Sequence, residues 1–395
     1  MIDVCVLGGG AAGLAVAVDL SNKCPDLSIV IIEKNSDVGL KLKATGNGRC
    51  NISNAQCQTF GETVKFFKRI GVEVSTNDEG WAYPVSEEGS EVVNVLKERL
   101  EDNGVKIYTE HIVEKIEENV EGVPYTVVCS KGQTFQCKKV VMALGGKAAP
   151  NFGTVGDGYI LARKLGHKVT KLAPCLVPLM CENEEMGINK GVRAKGTVSL
   201  FRHGDFVAKE KGEIQFTDKG LSGICIFTLS KYVVLNEKTK FEDYKLKLDF
   251  LAQYQGLEIL IMLKDRCKIK GMKTSKLLSS IVKDQIGQKL MKPWADKCPM
   301  AKDLSDEDLK EIILHAKGII YDVTGAGGWK EAQCTTGGVS WDDFDWDTME
   351  SKVQPGMYFA GEIIDYSGPC GGFNLENAWV NARKVSKALC TEFTN

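Results

Sequence analysis

The sequence predicts an α/β fold in which a parallel-sheet domain is interrupted by a long insertion and completed at the C-terminus. Three observations predict it. Apolar runs at Asp3–Leu7 and Ser28–Ile32 enclose a helical run at Ala11–Leu20, a strand–helix–strand unit that favours parallel pairing. After about residue 175 the texture changes to short strands and then to lysine-rich helical sequence. From Met357 the chain returns to strand, glycine turn and helix.

Composition narrows the class. The 395 residues are enough for roughly two to three domains. At 43% hydrophobic and 26% charged, the chain falls outside the disordered and fibrous classes. No apolar run reaches the roughly 18 residues of a membrane span. The opening run Ile2–Leu7 lacks the basic flank and cleavage site of a signal peptide, so a cytoplasmic location is expected. Fifty basic against 52 acidic residues leave a net charge of −2 without a long block of one sign, and no nucleic-acid partner is expected. Only eight of those basic residues are arginine, so an arginine in a glycine-rich loop stands out. The 14 cysteines form no CxxC pair and the 4 histidines are scattered. No metal site is expected, and the cysteines are expected to be reduced.

The elements follow in order. Gly39–Asn54 is polar and glycine-rich, and Val92, Val93, Leu96 and Leu100 recur at helical spacing within Ser90–Asn103. Lys106–Ile116, Tyr125–Cys129 and Lys139–Leu144 read as strands. Asp157–Leu165 reads as a short helix, with Thr154 and Asp157 as a capping box. Within the insertion Gly196–Phe201, Phe206–Lys209 and Ile224–Leu229 read as strands and Leu257–Leu290 as helical. Ser305 caps a helix reaching Ala316, and short strands resume near Gly318. Met357–Ala360 and Leu375–Leu389 supply a last strand and helix. The expected division is residues 1–188 and 338–395 in the α/β domain and 189–337 in the insertion. The insertion is expected to be β-rich at about 189–250 and 318–337 and helical at about 251–317.

Gly8-Gly9-Gly10-Ala11-Ala12-Gly13 fits G-x-G-x-x-G between a strand and a helix. The first glycine allows the tight turn, the second lets a pyrophosphate approach, and the third lets helix and strand pack closely. The helix N-terminus offers its free amides to the anion. Glu33 closes the second strand, where an acid can accept from ribose hydroxyls. A dinucleotide site is expected, and either a nicotinamide or a flavin cofactor satisfies it. Two later segments favour flavin. Val140–Leu144 runs into Gly145-Gly146, and Tyr358-Phe359-Ala360-Gly361-Glu362 leads through Asp365, Gly368 and Gly371-Gly372-Phe373-Asn374 into a helix. Such an acid can hold ribityl hydroxyls, and the helix N-terminus can face the electron-rich edge of a reduced flavin.

With GLKLKATGNGRCNISN at 39–54 and GEIQFTDKGLSG at 212–223, these motifs resemble a bacterial flavoprotein family that includes BaiN-like and aminoacetone-oxidase-like enzymes. The resemblance spans nearly the whole chain. It implies a Rossmann-type, glutathione-reductase-like domain binding FAD non-covalently, with a β-rich and a helical subdomain inserted. It places Gly8, Gly10, Gly13 and Glu33 on the ADP half, and Gly46, Gly48, Arg49 and Asn51 beside the flavin. Gly361, Asp365, Gly372 and Asn374 form the C-terminal contact. Ala11, Ala12, Lys34, Lys41, Val113, Ala143, Gly145, Glu362, Gly371 and Phe373 complete the candidate contacts. The wider superfamily ends this last strand in Gly-Asp where this chain has Gly361-Glu362, so Glu362 and Asp365 are both candidates for the ribityl chain.

The activity so implied is that of an FAD-dependent oxidoreductase passing hydride through flavin N5. The expected reaction joins a small organic substrate to NAD(P)H, a transient donor, or to another acceptor. Reduction of a conjugated enone such as a dehydro-bile acid is one form of it. An oxygen-using amine or aminoketone oxidase is the alternative, and a flavin-containing protein that binds RNA or another partner is the rival of a different class. The insertion is expected to shape the substrate pocket. Two residues are catalytic candidates: Arg49, to orient an anionic substrate or stabilise charge on the reduced flavin, and Cys50, as a redox thiol. Cys50 and Cys370 also read as packed small residues, and Trp81 and Tyr83 as core or pocket wall. Lys264–Lys292 reads as a solvated helix face, and His167 as closing a helix near its negative pole.

Overall fold

The computed structural model describes residues 1–118, 124–183, 186, 190–234 and 240–394, and the expected boundary at 188/189 lies outside them. Two compact units result, Met1–Cys175 with Trp329–Asn395, and Leu176–Gly328. The second unit thus starts and ends earlier than the expected insertion at 189–337, its start matching the change of texture after about residue 175. The reason is local pairing: Cys334–Thr336 lies antiparallel to Ala173–Cys175, which keeps both segments in the first unit.

The first unit is built on a seven-stranded sheet. From its edge the order runs Lys106–Tyr108, Ile29–Ile32, Ile2–Leu7 and Thr134–Met142, then Tyr125–Cys129 and Val113–Glu118, with Met357–Phe359 also paired to Thr134–Met142. The pairs made by Ile2–Leu7 are parallel, as are those of Lys106–Tyr108 and Met357–Phe359. All four residues of Ile29–Ile32 are buried, as a parallel strand covered on both faces requires. Helix Ala11–Lys23 is buried from Ala12 through Ser21, because it packs against the sheet and against helix Phe373–Thr394. The sequence reading of Lys106–Ile116 as one strand fails at Glu110, whose φ of 59° turns the chain. Thr154 forms no capping box: its hydroxyl donates to the carbonyls of Ala148 and Ala149, and Gly156 caps helix Asp157–Lys164 instead. The expectation of reduced cysteines also needs correction. Cys24, at the C-cap of the first helix, is joined to Cys390 on the last one, two residues brought together only by helix packing. The other described cysteines form no disulfide.

The second unit contains a closed antiparallel barrel. Its strands run Leu179–Glu182, Gly220–Ser222, Asp205–Phe216, Arg193–Arg202, Tyr244–Asp249 and Ile319–Ala326 around the closure. Val198, Leu200, Ile214, Leu246, Leu248 and Val323 alternate into its interior. Ile224–Leu229 is not a strand; Ile224–Val234 is a helix whose Cys225, Ile226, Leu229 and Val233 are buried together. A short apolar run does not distinguish the two, and here burial at helical spacing decides. The lysine-rich stretch is likewise two helices, Gly256–Cys267 and Asp284–Ala295, with a short turn of helix at Thr274–Lys276 between them. Ser305 caps Asp306–Ala316 as expected, accepting from the Asp308 amide at 3.1 Å. Among the described residues no helix is long and apolar enough to cross a membrane.

His167 follows helix Asp157–Lys164 and is buried, with Nδ1 3.2 Å from the Ala162 carbonyl and Nε2 2.7 Å from Ser351 Oγ. Burial lowers its pKa below the ordinary value of 6.5. The unfolded chain therefore takes up this proton at a higher pH than the folded chain. Stability is full above about pH 6.5 and falls as the pH drops from there towards the lowered folded-state value. Thermal melts between pH 7.5 and 5 should show His167→Gln losing less stability on acidification than the wild type. Parallel slopes would contradict this assignment.

Candidate functional site

The glycine loop after Ile2–Leu7 is fixed by backbone contact. A Cβ on Gly8 would lie 2.4 Å from the Ala143 carbonyl oxygen, and one on Gly13 only 1.9 Å from that of Gly8. Gly10, the N-cap, has nothing within 4 Å of its Cβ position, and the helix start has no side-chain cap and no acid in its first turn. Ala11 and Ala12 fill that turn. Free amides beside open space form an anion site, and they fit the pyrophosphate of a dinucleotide. Glu33 is buried and fastens the loop, with Oε2 accepting from the Gly9 amide at 2.8 Å and Oε1 from the Asn35 amide at 2.8 Å. Lys34 pairs with Asp157, and Lys43 and Lys97 on Asp37 hold that carboxyl well below its ordinary range. Val113 is buried at the start of an antiparallel strand, opposite Cys129.

The two other motifs, far apart in sequence, meet. Gly371 accepts from Asn54 Nδ2 at 2.9 Å, and a Cβ on Gly372 would lie 2.3 Å from the Ser53 carbonyl oxygen. Asn51, oriented to satisfy its amide, donates to the carbonyls of Ser53 (2.9 Å) and Ala82 (3.1 Å). Asn374 Oδ1 accepts from the Gly368 amide at 2.8 Å, closing the loop ahead of helix Phe373–Thr394. Gly361 donates to Asn381 Oδ1 at 3.2 Å and faces Ala12, which sets the last strand against the first helix. Gly46 and Gly48, both at positive φ, turn the chain towards Asn51, and the Gly48 carbonyl accepts from Gly89. The Arg49 guanidinium lies over the Tyr83 ring at 4.7 Å, with Nε donating to the Gly46 carbonyl at 3.3 Å and Nη1 3.9 Å from Glu87 Oε1. Its side chain is 43% exposed, so its charge is available to a ligand.

Both candidate acids after the last strand have partners. Glu362 accepts from Lys41 Nζ at 2.8 Å and from the Thr335 amide at 2.7 Å, while Asp365 accepts from Thr170 Oγ1 at 2.8 Å. Thr335 escaped the sequence reading. Its hydroxyl accepts from the Lys147 and Ala148 amides at 2.8 and 3.1 Å, tying the Gly145-Gly146 turn to Glu362. The one signal for it is the glycine pair two residues later, at Gly337-Gly338. Ala143 donates to the Leu7 carbonyl, which holds that turn beside the first loop. Cys50 is fully buried at a φ of 59°, and burial pushes its thiol up to about 12. Cys370 is pushed up to about 11 by the same cause. Burial favours the thiol over the thiolate at both positions, and Cys50 is packed as a small core residue. Among the described residues no cluster of ligands could hold a metal ion.

The family described as HI0933-like protein Rossmann domain matches residues 59–388. The chain belongs to the HI0933-like family. Residues 6–53 also match the NAD(P)-binding Rossmann-like domain. The HI0933-like chain is 29% identical to the 3-dehydro-bile acid delta(4,6)-reductase of Clostridium scindens, over 97% of its own length and 98% of that protein's. It is 25% identical to the ribosomal RNA dihydrouridine synthase of Haemophilus influenzae, over 95% and 96%. Its fold is shared with the 3-ketosteroid-delta4-(5alpha)-dehydrogenase of Rhodococcus jostii RHA1, at a TM-score of 0.51, 14% identity and coverage of 98% and 96%. The first unit thus contains the Rossmann-type domain of an α/β protein.

The glycine contacts yield a contrast. Gly13→Ala should cost about 1–3 kcal/mol through overpacking. Gly10→Ala should leave the apoprotein within about 0.5 kcal/mol of wild type yet weaken FAD binding. Urea unfolding of the apoprotein and FAD titration by fluorescence would check both; a destabilised Gly10→Ala apoprotein would contradict the open anion site.

Proposed function

We propose that this protein is an FAD-dependent oxidoreductase that adds hydrogen across a carbon–carbon double bond conjugated to a carbonyl, with a dehydro-bile acid enone as substrate class. The observation that carries the reading is the end-to-end similarity to the 3-dehydro-bile acid delta(4,6)-reductase, spanning 97% of this chain. The uncapped helix N-terminus at Gly10 supports the cofactor, since it offers free amides and room to a pyrophosphate. Bound there, FAD would accept hydride from NAD(P)H and pass it to the substrate. The chain's part is to bind and orient. Gly8–Gly13 and Glu33 hold the ADP half, and the joined loops at 46–54 and 371–374 lie where the isoalloxazine is expected. Arg49, braced on Tyr83, orients an anionic group such as the carboxylate of a bile acid.

A second reading has its own support. The relative from Haemophilus influenzae is named for ribosomal RNA, and Lys264–Lys302 carries eleven basic residues against three acids. Lys264, Lys268 and Lys276 there pair with Asp306, Asp265 and Asp284, so part of that charge is internally neutralised. The net charge of −2 also favours the small-molecule reading.

Anaerobic stopped-flow absorbance separates these readings. NADH or NADPH should bleach the flavin band, and a 3-oxo-Δ4,6 bile acid should restore it without oxygen. Reoxidation by an rRNA fragment alone would establish the second reading. Bleaching by amines alone, reversed by air, would make the protein an oxidase. Arg49→Ala should lower kcat/KM roughly tenfold for a free bile acid, about the loss of one charged hydrogen bond, and leave its neutral ester unaffected. Equal losses on acid and ester would remove Arg49 from carboxylate recognition.

A further inference from the structure

Helix Phe373–Thr394 contains a buried carboxylate near its start that the motifs do not single out. Glu376 lies in the first turn, its own amide bonded to the Gly372 carbonyl at 2.9 Å. Its side chain is only 5% exposed. Three hydroxyls converge on it: Ser53 Oγ donates to Oε2 at 2.5 Å, and Thr59 and Thr63 donate to Oε1 at 2.5 and 2.8 Å. Such a set matches an acceptor-only group. The nearest cation, Arg383, stops short of it. Its Nη2 is 3.9 Å from Oε1 and 3.8 Å from Glu62 Oε2, with no hydrogen-bond partner among the described residues, while its Nη1 donates to Thr63 at 2.9 Å. Burial lowers the Arg383 pKa, outweighing the opposing pull of the Glu376 and Glu62 carboxylates, neither of which reaches hydrogen-bond distance of Nη2.

The placement matters because the same residues build the flavin-side loop. Ser53 donates to Glu376 through its side chain, and its backbone carbonyl is the atom against which Gly372 rests. A helix N-terminus presents partial positive charge that favours an anion beyond its end. A carboxylate in its first turn subtracts from that potential, and burial keeps the subtraction from being screened. Helix and carboxylate therefore act in opposite senses on charge placed before Gly372. The hydroxyls of Ser53, Thr59 and Thr63 set how strongly the carboxylate acts.

We propose that Glu376 is a positioning residue that sets the reduction potential of the flavin, its buried charge holding the reduced cofactor less tightly than the helix N-terminus alone would. This rests on the flavin assignment above. The effect needs no contact between Glu376 and the cofactor, and it predicts opposite signs for two substitutions. Glu376→Gln keeps the shape and an acceptor oxygen but removes the charge. Thr59→Val keeps the charge and removes one donor that tempers it.

The test is the midpoint potential of the holoenzyme, read by absorbance during anaerobic reduction beside a dye of known potential. Glu376→Gln should raise it, with the ratio of reduced to oxidised FAD binding constants up about tenfold, or about 30 mV for a two-electron couple. Thr59→Val should lower it. A purely structural network would shift the melting temperature of both variants and leave both potentials at the wild-type value, which would overturn the proposal. Shifts of the same sign in both variants would overturn it too. Should Glu376→Gln not fold, an unchanged potential in Thr59→Val suffices to reject it. A wild-type protein that binds no FAD would overturn the flavin assignment and this proposal with it, whereas bound FAD with unmoved potentials rejects the proposal alone.

Discussion

Nothing in this fold tolerates a side chain where the carbonyl oxygen of Gly8 meets the α-carbon of Gly13. The 1.9 Å that a Cβ would leave there forces the first helix to start hard against the turn that ends the first strand. Much else follows from this closeness. The helix N-terminus is delivered uncapped to the end of a parallel sheet, where the strands Ile2–Leu7 and Thr134–Met142 lie side by side. Ala12 in its first turn becomes the surface against which Gly361 is set, and so the last strand finds its place. Glu33 then pins the loop from the neighbouring strand through the Gly9 amide. An anion-binding end thus arises from backbone packing, with no cationic side chain needed to create it.

Around that end, carboxylates act mainly as fasteners. Glu33 ties loop to strand, Glu362 ties Lys41 to the Thr335 amide, and Glu376 ties the last helix to Ser53, Thr59 and Thr63. Each joins segments distant in sequence, and each bond is shielded enough to count for more than a surface pair. The consequence is a rigid frame for a cofactor. Arg49 differs: stacked on Tyr83 and partly exposed, it is braced without being consumed. A charge so held suits recognition of a ligand group.

Much of this was legible in the sequence where a local rule was enough. The strand–helix–strand unit, the glycine fingerprint, the Ser305 cap and the final helix each depend on residues close together in the chain. Ile224–Val234 misled because an apolar β-branched run satisfies a buried strand and a buried helix alike, and only tertiary packing chooses. Thr154 misled because its hydroxyl found nearer carbonyls than the helix it precedes. The Cys24–Cys390 bond and the Glu376 network were not legible at all, and the Thr335 bridge had only the neighbouring Gly337-Gly338 pair to signal it. They join residues up to 366 positions apart, and no spacing rule connects such partners.

The proposed chemistry needs one cofactor at one site, so the most direct measurement is its identity and stoichiometry. Purified protein, denatured by heat and cleared by centrifugation, should release a soluble yellow compound that chromatography identifies as FAD, approaching one per chain. A pellet that stays yellow would contradict non-covalent binding. Release of a nicotinamide dinucleotide instead, or failure of the colourless protein to take up added FAD, would contradict the flavin site itself.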